Sequence, residues 1–70
     1  MTTYTVHGYT TGGWDVDDTT TSLRKAMAIA RQTMGGFSAD SSSHVNIARN
    51  GVIIKAWSGT TAGKWVSVTV

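Results

Sequence analysis

From His44 to Trp57 the chain reads "HVNIARNGVIIKAW": apolar and polar residues alternate, break at Asn50-Gly51, and then three apolar residues follow in a row, Val52, Ile53 and Ile54. An Asn-Gly pair between alternating runs predicts a two-residue type I′ hairpin. That turn would pair Arg49 with Val52, Ala48 with Ile53, Ile47 with Ile54, Asn46 with Lys55, Val45 with Ala56 and His44 with Trp57. Val45, Ile47, Val52, Ile54 and Ala56 then share one face, and His44, Asn46, Ala48, Ile53, Lys55 and Trp57 share the other. The closing stretch "KWVSVTV" also alternates. Its valines, Val66, Val68 and Val70, are expected on the core face, with Trp65 beside Trp57 on the opposite one.

Tyr4 to Thr10 reads as a first strand, Gly12-Gly13 as a turn and Trp14 to Asp17 as the returning strand. Tyr4 and Val6 differ in parity from Tyr9, Trp14 and Val16 across that turn. An interior strand glycine often marks a bulge, and one at Gly8 would bring all five to a single core. Thr21 to Met34, "TSLRKAMAIARQTM", has the spacing of a helix: Leu23, Ala26, Met27, Ala30 and Met34 form one apolar stripe with Ile29 at its border. Asp18, Thr20 and Thr21 compete as N-caps, and Gly35-Gly36 offers a left-handed stop. Arg24 and Arg31, a heptad apart, fall together on the solvent side.

The expected order is therefore β-β-α-β-β-β, an α+β fold with an antiparallel sheet of four to five strands and one helix on one face. The core is expected to comprise Val6, Trp14, Leu23, Met27, Ile47, Ile54, Val66 and Val68. One helix of this length, roughly 20 Å, covers one face of such a sheet and leaves the other open. On the expected register, Ile53, Trp57 and Trp65 stand on the open face.

At 70 residues, with no repeat, heptad pattern or linker, the chain reads as one domain, 1–70. A domain so small buries about 60% of the surface that its unfolded chain exposes, so a large enclosed active-site cavity is not expected. There is no cysteine, which excludes disulfides and thiolate metal sites. The start "MTTYTVHG" lacks a charged leader and an apolar run. No stretch approaches the roughly 20 apolar residues of a membrane span. These features lead to the expectation of a soluble cytoplasmic protein without a membrane partner. The net charge of +2 reflects six Lys/Arg against four aspartates and no glutamate. That is sparser than the basic stripe of most nucleic-acid binders.

The candidate binding residues are Ile53, Lys55, Trp57, Trp65, Arg24, Arg31 and Lys64. Aromatics beside lysines on an open sheet could stack bases or form a protein interface, in which tryptophan is enriched. The competing structural readings are a homodimer through this face, or a "SGTTAG" loop folding the tryptophans over the sheet edge. Protein is favoured over nucleic acid because basic residues are few. Asp15, Asp17 and Asp18 in "WDVDD" lack the glycine and distal acid of a calcium loop and read as solvated strand-end carboxylates. His7 and His44 come without a nucleophile elbow or a His-Glu metal motif. No catalytic residues, metal or cofactor are expected.

The short first hairpin, the single "SLRKAMAIA" helix and the final "ARNGVIIKAW" hairpin resemble very small phage or mobile-element proteins, including some anti-CRISPR inhibitors. The resemblance spans the whole chain as architecture and size. It implies a non-enzymatic inhibitor, acting in the host cytoplasm, that docks on a host or CRISPR effector protein through its sheet face or basic side chains. Gly13-Trp14, Val16, Thr20, Ala26 and Ala30 also resemble a pattern of short bacterial domains, which implies a fold and no function. The alternative is a nucleic-acid-binding module using Arg24, Arg31, Lys55 and Lys64 around Trp57.

Overall fold

The computed structural model of the chain describes residues 2–9, 15–36 and 39–70. It contains strands β1 (Tyr4–Tyr9) and β2 (Asp15–Thr20), helix α1 (Leu23–Gly36), then β3 (His44–Arg49), β4 (Val52–Gly59) and β5 (Trp65–Val68). The strands form one antiparallel sheet in the order β2-β1-β3-β4-β5. The α+β fold with one helix is thus as expected. The expected Gly12-Gly13 turn and Trp14, and the side chain of Val16, lie outside what the structure describes.

Helix α1 lies across β1, β3 and β2. Its contact line is Ala26 and Ala30, both fully buried with Val6, Val45 and Ile47. The two small side chains sit one turn apart and let the helix approach the sheet closely. Met27, Ile29 and Met34 flank that line. Leu23, expected in the core, is the first helical residue and is exposed, because the contact line begins one turn later at Ala26.

The cap differs from expectation. Because β2 stays paired with β1 as far as Thr20, Asp18 and Thr20 remain in the strand, and Ser22 caps the helix instead. Its Oγ accepts from the Lys25 N–H at 3.4 Å and its carbonyl accepts from the Ala26 N–H at 3.0 Å. At the other end both Gly35 and Gly36 are helical. Among the described residues the left-handed conformations belong to Asn50, Gly51 and Gly63, so the expected left-handed stop at Gly35-Gly36 is absent. One carbonyl of the final turn, that of Met34, accepts from the Trp65 indole N–H at 3.0 Å. A side chain from the sheet thereby satisfies a helix-end group that glycine caps otherwise serve.

Strand β1 pairs with β2 and with β3 without slipping, so the bulge expected at Gly8 does not occur. Gly8 is buried on the helix side beside Val45, where a missing side chain allows close approach. Tyr9 consequently points to the helix-free face.

The bulge lies in β4. The turn at Asn50-Gly51 has φ of 49° and 86°, as a type I′ hairpin requires, and Arg49 faces Val52 and Ala48 faces Ile53 as expected. The next pair is Ile47 with Lys55, which leaves Ile54 as an extra residue. Every later pairing is displaced by one: Asn46 faces Ala56, Val45 faces Trp57 and His44 faces Ser58. Cross-strand partners share a face, so Trp57 lies with Val45 and Ile47 on the helix side. Strand β5 inherits the change. Trp65 faces Gly59, and Val66 and Val68 face Ser58 and Ala56. The tryptophans expected on the open face therefore pack against the core, and Val66 and Val68, expected in the core, are 46% and 43% exposed.

The link from α1 to β3 is held tightly. The Asp40 carboxylate accepts from the Ser42 N–H at 2.9 Å and the Ser43 hydroxyl at 3.0 Å. The buried Ser43 carbonyl accepts from the Gly59 N–H at 2.8 Å. Gly59 passes so close to the Asp40 backbone that a Cβ would overlap its carbonyl oxygen.

Candidate functional site

Two surfaces differ from the rest of the molecule, and the β4 bulge decides the content of both. The first is the helix-free face of the sheet. Alternation places Thr5, His7 and Tyr9 of β1, Asp15, Asp17 and Thr19 of β2, and His44, Asn46 and Ala48 of β3 there. Ile53, Ala56 and Ser58 of β4 and Val66 and Val68 of β5 complete it.

The β1–β3 end of this face is a cluster of rings. Tyr9 stacks on His44 with centroids 5.3 Å apart, and His7 lies 6.0 Å from His44. The His7 Nδ1 is 3.5 Å from an Asp17 carboxylate oxygen, and both side chains are open to solvent. The β4–β5 side of the face carries aliphatic residues, Ile53 at 45% exposure and the two exposed valines. Five of the six Lys and Arg residues lie away from this face, and the sixth, Lys64, is in the turn at its end. Arg24, Lys25 and Arg31 are on the helix, Arg49 is paired with Tyr4 on the helix side, Lys55 follows the bulge, and Lys64 sits in the turn before β5.

The second surface arises because α1 packs mainly on β2, β1 and β3 and reaches β5 through the Trp65–Met34 bond. A cavity of about 410 Å³ opens between the helix flank and the last strands, β4 and β5, lined by Met27, Ile54, Lys55, Ala56, Trp57, Ser67, Val68 and Val70. Arg24 and Arg31 lie three residues before Met27 and four after it, so all three occupy one flank of the helix. Among the described residues none of the aspartates lines this cavity.

The candidate residues chosen from sequence therefore disperse. Lys55 and Trp57 line the cavity, and Arg24 and Arg31 stand on its helical flank. Ile53 does lie on the helix-free face with His44, Asn46 and Ala48 as expected, but Lys55, Trp57 and Trp65 do not. Trp65 is held by its bond to Met34. Lys64 belongs to a closed turn in which the Thr60 hydroxyl donates to the Lys64 carbonyl at 3.0 Å and accepts from the Lys64 N–H at 3.3 Å.

Sequence reasoning placed His44 on the open face without choosing it for binding, and it assigned Tyr9 and Val68 to the core. The signal for Tyr9 and His44 was present, since unbroken alternation from Val6 puts Tyr9 opposite His44. Val68 carried no such signal, because its face depends on the bulge. Among the described residues no group of three or more His, Cys, Asp or Glu could hold a metal ion, and no helix is long and apolar enough to cross a membrane. No protein-family model, curated protein or solved structure matches this chain.

Proposed function

We propose that this protein is a non-enzymatic binding module that docks on a larger protein through the helix-free face of its sheet. The observation that carries the reading is the composition of that face: exposed Ile53, Val66 and Val68 share it with a Tyr9, His44 and His7 ring cluster, across a row of small and polar residues, Ala48, Ala56, Asn46 and Ser58. Contiguous apolar patches on small proteins mark interaction sites, and rings beside aliphatics with few charges match the centre of protein interfaces.

Nucleic acid is the weaker reading for this face. Aromatics on central strands can stack bases, but affinity for nucleic acid comes largely from cations on phosphates. Here the flanking strand contributes Asp15 and Asp17 instead. Catalysis is weaker too, because the His7–Asp17 pair stands in open water, where neither the dielectric nor the geometry favours proton transfer to a bound substrate. The narrower reading, a phage-encoded inhibitor of a host or CRISPR effector protein, adds only small size and the β-β-α-β-β-β layout to this surface.

The test is affinity capture from host extract with mass spectrometry of protein and nucleic acid, repeated with Ile53→Asp and Val66→Asp, neither of which lines the cavity, and followed by calorimetry on the captured protein. We expect one specific protein, retained by the wild type, and at least tenfold weaker binding, about 1.4 kcal/mol, for each folded variant. Capture of nucleic acid with affinity that falls steeply with salt would overturn the reading. So would a protein partner indifferent to both substitutions.

A further inference from the structure

The cavity beside α1 shares Ala56 and Val68 of its wall with the helix-free face but differs from that face in chemistry. We propose that it is a second binding site, which takes an extended segment of another protein carrying acidic and apolar side chains. Three features of the site define this occupant.

The floor is apolar: Met27, Ile54 and Trp57 face the cavity together with Val70. A volume of about 410 Å³ falls within the roughly 300–1,000 Å³ of ligand sites. Trp57 is only partly buried although it packs against the core, so part of its surface remains for a ligand.

The rim is cationic. Lys55 lines the cavity and is exposed, and Arg24 and Arg31 are exposed on the helical flank that Met27 shares. Among the described carboxylates, Asp15, Asp17 and Asp18 sit on β2 at the opposite edge of the sheet, and Asp40 lies in the turn packed under Gly59. With Lys55 on the wall, Arg24 and Arg31 on the adjoining helical flank and no aspartate among the lining residues, the site attracts a ligand that brings its own carboxylates.

The third feature is the edge. Ser67 and Val68 of the cavity wall belong to β5, which ends the sheet order and has no neighbour on its outer side among the described residues. Edge strands are commonly guarded against pairing by charge or proline. Strand β2 carries three aspartates, whereas β5, "WVSV", has neither device. An unguarded edge offers backbone hydrogen bonds to an incoming strand. An extended peptide added there would set alternate side chains over the cavity.

The experiment is selection of a displayed random library of twelve-residue peptides on the immobilised full chain. Enriched peptides are then synthesised, and their affinity is measured by tryptophan fluorescence for the wild type, Lys55→Glu, Arg31→Glu and Lys25→Glu. Lys25 lies on the other flank of the helix from Met27, so its variant controls for charge alone. We expect enrichment of Asp or Glu alternating with apolar residues, at least tenfold weaker binding to Lys55→Glu and Arg31→Glu, and less than twofold change for Lys25→Glu. Circular dichroism checks that each variant is folded. Failure to enrich any peptide, enrichment of basic or purely apolar peptides, or equal losses in all three variants would overturn the proposal. The library reports on this cavity even if the helix-free face has no partner, because Ile53→Asp should leave peptide affinity unchanged.

Discussion

Replacing Trp57 and Val66 by alanine, one at a time, measures which face of β4 and β5 the helix covers. Trp57 faces Val45, which is 1% exposed, and packs against the buried cluster of Val6, Ala26, Ala30, Val45 and Ile47. Truncating a fully buried aromatic costs about 3–5 kcal/mol. Trp57 is partly buried, so about 2 kcal/mol is expected. Val66 faces Ser58 on the helix-free side and keeps 46% of its surface in water. Its truncation removes two methyl groups that are about half solvated, for a loss of about 0.9 kcal/mol. For a domain of this size 1 kcal/mol moves Tm by about 4–8 °C, so the two variants should differ by roughly 4–9 °C. Urea denaturation, with the slope compared between variants to verify a common unfolding reaction, gives the free energies directly. A larger loss at Val66 than at Trp57 would refute the reasoning, because it would place the valines under the helix and the tryptophan outside.

Deleting Ile54 should remove the bulge while leaving Trp57 opposite Val45, so the chain should still fold, weakened by about 2 kcal/mol of lost packing; cross-strand NMR contacts between residues 45 and 57 are the check. Gly59→Ala should destabilise by about 3 kcal/mol, since its Cβ would overlap the Asp40 carbonyl oxygen, and a thermal melt within a few degrees of wild type would contradict that approach. Trp65→Phe keeps most of the ring and loses the bond to the Met34 carbonyl, so about 1 kcal/mol is expected, accompanied by faster amide exchange near residues 34–36.

The element order and the Asn50-Gly51 turn were legible because each rests on a local signal: the turn dipeptide, the period of the helix and the alternation of the strands. The face of each strand was not equally legible. In β1, alternation from Val6 was correct as written, and the correction invoked at Gly8 was the error. In β4, the break in alternation at Val52-Ile53-Ile54 was itself the mark of the bulge. The straight register accounted for that triplet by assuming that both faces hold apolar residues. In β5 the pattern alternates equally well either way, with aromatic and serine on one face and valines on the other, and only the pairing with β4 selects between them. Leu23 was misplaced for a different reason: a helical stripe fixes a direction and not where contact with the sheet begins. The core ended on Ala26 and Ala30 because small residues allow the closest packing.

The same extra residue determines which partner chemistry each surface can serve. In the straight register Trp57, Trp65 and Lys55 would share the helix-free face with His44, an arrangement suited to base stacking beside a cation. With Ile54 bulged out of register, both tryptophans pass to the helix side and Lys55 moves to the cavity with them. The helix-free face is left with rings, aliphatic side chains and two aspartates. Five of the six basic residues then lie off that face, on the helix, beside the cavity and at the Asn50-Gly51 hairpin, and Lys64 sits in the turn at its end. Long-range attraction to a polyanion would draw it to the helix side, whereas the helix-free face gains its affinity from apolar burial, which salt screens little. Salt dependence therefore separates the two surfaces: binding at the helix-free face should hold steady as ionic strength rises, and binding at the cavity should weaken.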